Sequence, residues 1–244
     1  DGMSASAGLL YAANDFDHAV LCASVYEALG GIPIIGCTTD GELSGGCGFH
    51  EDSAVLVLFA SEKITIRAGL GRSASLDPES AARQAIRMAS EPGDPVPSLC
   101  IVLPDGLSSS GSHVTRALTD LLGASVPLVG ALAGDQSQFR SCAQVFAGQV
   151  FHDVIPVLMF YGPLAVGIGV GSGWRPVGRK VPVTSCEGNV IRRIGGQTAV
   201  DFYESFLGEN VVLNPEYPLM VYERDGDSSY IRSPLVSRPD GAIQ

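Results

Sequence analysis

The sequence predicts an α/β fold: two internally duplicated strand-helix-strand units forming mixed sheets, followed by a smaller α+β domain. Two observations favour this class. Residues 32–41 and 126–135 share a proline, two aliphatic residues, a glycine and then small and polar residues with a Gly/Asp pair. The helical pattern before each segment and the strand patterns after it recur in the same order, as a duplication requires. We expect pseudo-repeats at about 5–91 and 97–172, in a domain of residues 1–173 that precedes one of residues 174–244.

Composition places the chain among folded proteins. Its 244 residues are 45% hydrophobic and 17% charged, which suits a packed core rather than disorder. The net charge of −11 argues against nucleic acid and anionic membrane surfaces, because both attract clustered Lys and Arg. The six cysteines form no Cys-x-x-Cys pair and no signal-peptide pattern is visible. We therefore expect reduced thiols and a cytoplasmic location.

The first unit is predicted from hydrophobic periodicity and capping residues. Asn14 or Asp15 is the expected cap of the first helix, and Asp77 with Pro78 opens the second. The Gly-rich loop at 36–48 is long enough to indicate function or mobility. The expected elements are a strand at 7–12, a helix ending at Gly30-Gly31, a strand at 32–35, that loop, strands at 53–60 and 63–71, and a helix from Asp77 to about Ser90.

The second unit follows the same order. The run from Val154 to Trp174 is uncharged, but a β-hairpin turning at Gly162-Pro163 explains it better than a membrane span. The loop Asp105–Ser112 favours plain helix capping, with an anion site as the alternative. The expected elements are a strand at 98–103, a helix at 114–122, the apolar strand from Val126, and strands at 144–151, 155–161 and 164–170.

The remaining residues predict a smaller domain. Segments 180–186 and 190–194 alternate apolar and polar residues around Glu187-Gly188-Asn189, which is a hairpin signal. An amphipathic helix is expected at 197–207. A further strand pair is expected at 219–223 and 230–234, around Asp225-Gly226-Asp227. We expect this domain to be incomplete in the sequence.

The search for catalytic chemistry yields one candidate, Cys37, a thiol in a Gly-rich segment directly after a strand. The chain has no Gly-x-Ser-x-Gly elbow and no His-Glu-x-x-His motif. His18, His50, His113 and His152 show no metal-ligand spacing, so no metal site is predicted. A single axial histidine for haem needs no sequence partner and stays open as an alternative.

The candidate binding site consists of the two Gly-rich segments. Ligands of α/β proteins favour the carboxyl ends of strands, and both segments leave equivalent strands. The alternative is that both are tight structural turns. The predicted ligand-binding residues are Gly36, Cys37, Thr38, Thr39, Asp40, Gly41, Glu42, Gly130, Ala131, Gly134 and Asp135.

These segments resemble a known family. Residues 33–42 are similar to the P-x-x-G-C-T-T-x-G-E segment of the FIST N-terminal domain, and residues 127–135 to its P-x-x-G-G-x-A-G-D segment. Ala131 replaces a glycine that is usual there. Residues 175–191 resemble the junction into the FIST C-terminal domain, and residues 199–208 resemble a helix of that domain.

The resemblance implies a sensory module of signal transduction that binds a small ligand, such as an amino acid or related metabolite, and is not an enzyme. It also implies a partner: a histidine kinase, cyclase or chemoreceptor component. Some members of the family resemble haem-dependent nitric oxide sensors that act on a histidine kinase. Such a sensor is the first alternative function. A thiol-dependent enzyme using Cys37 is the second. An oligomer is compatible with all three functions, and none requires nucleic acid or membrane insertion.

Overall fold

The computed structural model describes residues 4–108, 110–208, 217–223, 229–234 and 236–244. The chain forms two compact units: unit 1 ends at Ile168 and unit 2 begins at Gly169. Helices and mixed sheets occur together, so the predicted α/β class is confirmed. The predicted domain boundary after residue 173 lies close to this division and stays a prediction. Within the described ranges, no helix is long and apolar enough to cross a membrane.

Unit 1 is built from two large sheets and one two-stranded hairpin. The elements in chain order are β1 (Ala7–Ala13), α1 (His18–Ala28), β2 (Ile34–Thr39), β3 (Glu42–Ser44), β4 (Gly48–His50), β5 (Ala54–Phe59), β6 (Thr65–Arg72), α2 (Pro78–Met88), β7 (Leu99–Val102), α3 (Gly111–Leu122), β8 (Leu128–Gly130), β9 (Gln144–Phe146), β10 (Gln149–Phe151) and β11 (Val154–Tyr161). Sheet one has the strand order β10-β9-β2-β1-β5, sheet two has the order β6-β11-β7-β8, and β3 pairs with β4 in the hairpin.

The two sheets contain the same three-strand arrangement. In sheet one, β1 lies between parallel β2 and antiparallel β5; in sheet two, β7 lies between parallel β8 and antiparallel β11. A corresponding hydrogen bond occurs in each of these three-strand arrangements. The Ser6 N–H donates to the Phe59 carbonyl oxygen at 2.6 Å, and the Ser98 N–H donates to that of Phe160 at 2.8 Å. This is the pattern that a duplication of the unit would produce.

The core of unit 1 has three apolar layers. Between the two sheets lie Leu9, Ile35, Cys37, Leu158 and their neighbours. Helix α1 covers the other face of sheet one, and α2 with α3 covers the other face of sheet two. The result is a four-layer αββα arrangement, which buries the sheets on both faces.

The sequence predicted the capping residue of α2 correctly and that of α1 incorrectly. Asp77 caps α2 as predicted, because its carboxylate accepts the Ser80 N–H at 2.9 Å. The predicted cap of α1 is wrong. Asp17, rather than Asn14 or Asp15, accepts the Val20 N–H at 3.1 Å, so the helix begins later than expected.

The predicted strand at 164–170 and the hairpin turning at Gly162-Pro163 are both wrong. Residues 164–170 form no strand. The reason is that β11 has no free edge for a returning strand, because β6 pairs along one side of it and β7 along the other. The predicted strand at 144–151 is likewise two strands, β9 and β10, with a turn at Ala147-Gly148.

The predicted loop at 36–48 is mostly regular structure. Strand β2 continues to Thr39, since β1 supports it on one side and β9 on the other. A short hairpin of β3 and β4 follows, in which Glu42 pairs with His50.

Unit 2 contains the predicted hairpin, formed by β12 (Val183–Glu187) and β13 (Val190–Ile194). Its helix α4 (Ala199–Leu207) is capped by Thr198, whose hydroxyl accepts the Asp201 N–H at 3.1 Å. The predicted turn Asp225-Gly226-Asp227 lies outside the described residues. The other strands are β14 (Gln197–Thr198), β15 (Leu219–Tyr222) and β16 (Ser229–Arg232), and β15 and β16 pair as antiparallel strands.

Candidate functional site

The two predicted binding segments meet in unit 1. The first segment begins within β2 and the second at the end of β8, each of which runs parallel to a neighbouring strand, and both segments continue past the carboxyl ends of those strands. The Gly134 N–H donates to the Thr38 carbonyl oxygen at 2.9 Å. The Gln136 N–H donates to Asp40 Oδ1 at 2.5 Å. The two loops therefore contact each other directly.

The first glycine of each segment, Gly36 or Gly130, is required by the packing of the strands. A Cβ atom built on Gly36 would lie 2.0 Å from the Leu10 carbonyl oxygen, and one on Gly130 would lie 1.9 Å from that of Val102. Both distances are far below contact range, so only glycine lets the parallel strands approach this closely. These two glycines are explained by strand packing alone.

Gly134 has a different neighbour, which is a side chain of the other loop. A Cβ atom on Gly134 would lie 2.6 Å from Asp40 Oδ1. The missing side chain therefore leaves room for the Asp40 carboxylate above the second loop. Asp40 itself is solvent-exposed, and Gln136 extends the junction by donating from Nε2 to Asp52 Oδ1 at 3.1 Å.

Three of the predicted binding side chains, those of Thr38, Glu42 and Asp135, are buried and used within the fold. The Thr38 hydroxyl accepts the Ala143 N–H at 3.1 Å. The Asp135 carboxylate accepts three main-chain N–H groups, and Glu42 accepts the hydroxyls of Thr39 and Ser53. These side chains shape the loops and are not open to a ligand. The three donors to Asp135 are Phe139, Arg140 and Ser141.

The solvent-facing members of the predicted set are few. Asp40, Gly130 and Ala131 are exposed, while Thr39, Gly41 and Gly134 are half-buried. We call the surface formed by Asp40, Gly134, Gln136 and the exposed residues Gly130 and Ala131 the loop junction. A separate groove in unit 2, lined by Trp174, Met220 and Tyr230 among others, contains none of the predicted residues.

Cys37 does not have the properties of a nucleophile. Its side chain lies between the two sheets and is only 2% exposed. Burial, and to a smaller extent the neighbouring Cys142, raise the pKa of the Cys37 thiol to about 12. The thiol is therefore protonated at neutral pH, whereas a reactive cysteine needs an accessible thiolate. This geometry counts against a thiol enzyme.

Sequence reasoning missed a buried polar pair beside these loops. Asp105 follows β7, and its carboxylate accepts the N–H groups of Leu107 and Ser108 and the Gln144 Nε2 at 3.3 Å. Burial alone would raise the pKa of Asp105, but these hydrogen bonds and one from the Asp153 N–H lower it below its usual value. A buried carboxylate at this position disfavours the anion site considered for residues 105–112. The signal available in the sequence was an acid directly after a strand.

Gln144 is the second member of the pair and is fully buried. Its Oε1 has no hydrogen-bond partner among the described residues. Buried amide oxygens are normally satisfied by protein or ordered water.

The histidines do not form a haem pocket. In the part of the chain that the structure describes, His50, His113 and His152 are exposed and His18 is half-buried. The best placed is His152, whose Nδ1 donates to the Cys142 carbonyl oxygen at 2.6 Å and leaves Nε2 facing away. That is the tautomer of an axial ligand, but His152 is solvent-exposed and a haem needs an apolar enclosure. The described residues also contain no cluster of His, Cys, Asp and Glu that would hold a metal ion.

Comparison with known proteins gives two matches. The family model described as FIST N domain matches residues 6–197, a range that includes both binding segments. An uncharacterized protein of Methanocaldococcus jannaschii is 27% identical over 112 residues, which is 45% of this chain and 22% of that protein. The matched part of the chain thus spans about a fifth of the relative's length.

Proposed function

Because the chain belongs to the FIST N domain family, a family of sensory domains in signal transduction, we propose that unit 1 senses a small polar ligand at the loop junction. The ligand is an amino acid or a related metabolite that carries an ammonium group. The protein acts as a binding module rather than an enzyme.

The observation that carries this proposal is the contact between Asp40 and the second loop. Asp40 is an exposed carboxylate, held in place by the Gln136 N–H and seated over Gly134. Asp52 is a second exposed carboxylate, and it accepts the side-chain Nε2 of the same Gln136 at 3.1 Å. Two exposed carboxylates bound to one residue attract an ammonium group, and the net charge of −11 favours a cationic group in the same way.

The arrangement also supplies a way to transmit binding. The loop junction joins residues that follow β2 in sheet one to residues that follow β8 in sheet two. A ligand that holds Asp40 against the second loop therefore stabilises one relative position of the two loops, and a ligand shifts an equilibrium by its differential affinity for two states. We propose that a histidine kinase, cyclase or chemoreceptor component reads this state.

The test is a thermal-shift screen of the amino acids and their decarboxylated amines. The variants are Asp40→Asn and, as a matched control, Asp120→Asn, which changes an exposed acid on α3. A ligand at about 100 times its Kd stabilises the folded state by about 2.7 kcal/mol, or roughly 5–10 °C in Tm for a chain of this size. We expect one compound to give this shift with the wild type and Asp120→Asn but not with Asp40→Asn.

A structural role of the loops predicts a different result. In that case Asp40→Asn lowers the Tm of the protein by itself, and no compound raises the Tm of the wild type at millimolar concentration. That outcome would overturn the proposal. A shift that survives in Asp40→Asn would place the ligand elsewhere.

A further inference from the structure

Strand β5 forms an open edge of sheet one. It pairs with β1 along one side, and no other strand of the described residues pairs with it. Because the Ala13 N–H donates to the Ser53 carbonyl oxygen, alternation along the strand directs the N–H and carbonyl groups of Leu56 and Leu58 away from β1. The edge therefore presents main-chain hydrogen-bonding groups to which another strand can be added.

The other edges of the two large sheets are protected against strand addition. The edge strands β8 and β10 have three residues each. The edge strand β6 carries two arginines, of which Arg67 bonds Glu91 and Asp94 at 2.8 Å. Short length and charge are common devices that keep an edge from pairing. Strand β5 has neither, because its six residues are uncharged, contain no proline and pair with β1 without a register shift.

The leucines of β5 add apolar surface to this edge. Leu56 and Leu58 share a face of the sheet with their partners on β1, Leu10 and Gly8. Leu10 is buried in the apolar layer under α1, but Leu56 is 38% and Leu58 46% exposed. The apolar cover of this face therefore ends before β5, and both leucines remain in contact with water.

The sequence of the edge is nearly symmetric about Val57. Residues 54–60 read Ala-Val-Leu-Val-Leu-Phe-Ala. A two-fold axis through the central residue of two antiparallel strands places the mirrored positions opposite each other. The segment is therefore complementary to a second copy of itself. The mirrored pairs are Ala54 with Ala60, Val55 with Phe59, and Leu56 with Leu58.

We propose that the β5 edge is a dimer interface, at which two copies of the chain pair β5 with β5 as antiparallel strands around a two-fold axis at Val57. In this register Leu56 faces Leu58 of the partner subunit. The outward N–H and carbonyl groups of both residues are then bonded across the interface. The leucines of the two copies cover one another, and sheet one continues into the same sheet of the second copy.

Charge favours a second copy at this edge. The net charge of −11 makes two copies repel each other in general, whereas residues 54–60 carry no charge. Beyond the strand, the same register brings Lys63 toward Glu51 of the partner subunit, so opposite charges approach each other. A strand of a different protein needs no symmetry about Val57, and it is an outcome of the first experiment.

The first experiment measures the oligomeric state by analytical ultracentrifugation. We expect the mass of two chains for the wild type at micromolar concentration and the mass of one chain for Leu58→Lys, because a lysine on an edge strand opposes pairing. The control Leu76→Lys adds the same charge at a position that is 85% exposed, and it should remain a dimer. Circular dichroism checks that Leu58→Lys is folded.

Two results of this experiment would overturn the proposal. A wild type that stays monomeric at the highest soluble concentration would leave the edge to a strand of a different protein. A folded Leu58→Lys variant that stays a dimer would place the interface on another surface.

The second experiment tests the register with engineered cysteines. Val57→Cys and Leu56→Cys are made separately in a Cys47→Ser, Cys186→Ser background, which removes the exposed native thiols. Across the axis, Val57 faces its own copy as a non-hydrogen-bonded pair with Cα atoms about 4.5 Å apart, within disulfide range. The two Leu56 residues are offset by two positions along the strands and lie farther apart.

We expect mild oxidation to link two chains through Val57→Cys and to give little product with Leu56→Cys, read by non-reducing electrophoresis and peptide mass spectrometry. A higher yield from Leu56→Cys, or equal yields from both variants, would contradict an axis at Val57.

Amide exchange gives an independent readout of the same pairing. The Leu56 N–H should exchange about tenfold faster or more in Leu58→Lys than in the wild type, because it loses its partner across the interface. The Val57 N–H, directed toward β1, is the internal control and should change little. Equally fast exchange of Leu56 in both proteins is incompatible with the proposed interface.

Discussion

The rings of Phe59 and Phe160 pack edge to face, with centroids 5.1 Å apart and planes at 83°. Phe59 is the last residue of β5 and Phe160 the second-last residue of β11, and these corresponding positions of the two sheets contact each other. Both belong to the apolar layer between the sheets.

This contact predicts the cost of removing Phe160, which is nearly fully buried. Phe160→Ala should lower the free energy of unfolding by about 3–5 kcal/mol, because it removes a core aromatic and leaves a cavity. The exposed control Leu76→Ala should change it by less than about 0.5 kcal/mol. Urea denaturation of both variants checks this, and similar values for the two would contradict the layer assignment.

A methyl group on Gly36 should destabilise unit 1. Gly36→Ala forces the added carbon into the Leu10 main chain, and overpacking of this kind costs about 1–3 kcal/mol. Gly130→Ala should cost less, since β8 is an edge strand that can shift. Gly45→Ala, which has open space around it, is the control in the same denaturation series. A neutral Gly36→Ala would disprove the close approach.

The buried thiol predicts a pH dependence of stability. The pKa of Cys37 is about 12 in the folded chain and roughly 8.5 in an unfolded one. The folded state therefore holds the proton more tightly. The stabilisation is complete below pH ~8.5 and is lost as the pH rises toward the folded pKa. Between pH 7 and pH ~10.5, Cys37→Ala should show a shallower fall in unfolding free energy than the wild type; parallel curves would contradict this.

Thiol labelling tests the same residue kinetically. Iodoacetamide should modify Cys47 and Cys186, which are exposed, and leave Cys37 unmodified in the folded protein at neutral pH. Peptide mass spectrometry separates the sites, and labelling in urea is the positive control. Rapid native labelling of Cys37 would revive the thiol-enzyme alternative.

The exposed histidines predict the result of a haem titration. We expect His152→Ala and the wild type to give the same spectrum with added haemin, because His152 has no apolar enclosure. His113→Ala, another exposed histidine, is the control. A Soret band that is lost only in His152→Ala would contradict this and identify His152 as an axial ligand.

The sequence predicted correctly those features that depend on residues close together in the chain. The Asp77-Pro78 start of α2 was predictable because cap and helix are adjacent. The cap of α1 was not, since Asn14, Asp15 and Asp17 all offer a suitable acceptor within one turn. The fate of residues 164–170 depended on β6 occupying the edge of β11, and nothing in their own sequence records that pairing.

The candidate site also has features that the sequence predicts and features that it does not. That the two Gly-rich segments leave strands at their carboxyl ends follows from the strand-helix-strand pattern, and the structure brings Gly134 to Thr38. The uses of Thr38 and Asp135 could not be foreseen, because Asp135 bonds its own loop and Thr38 bonds residue 143 from a strand region far along the chain. The buried partner Gln144 carries no local signal at all.

The exchange of strands between the sheets has a consequence for how the molecule could be divided. Strand β6 belongs by sequence to the first half but completes sheet two, while β9 and β10 belong to the second half and complete sheet one. A cut in the connection at residues 91–97 would therefore not release two autonomous folding modules. Each fragment would lack strands that only the other supplies, so we expect native strand pairing only when both fragments are present.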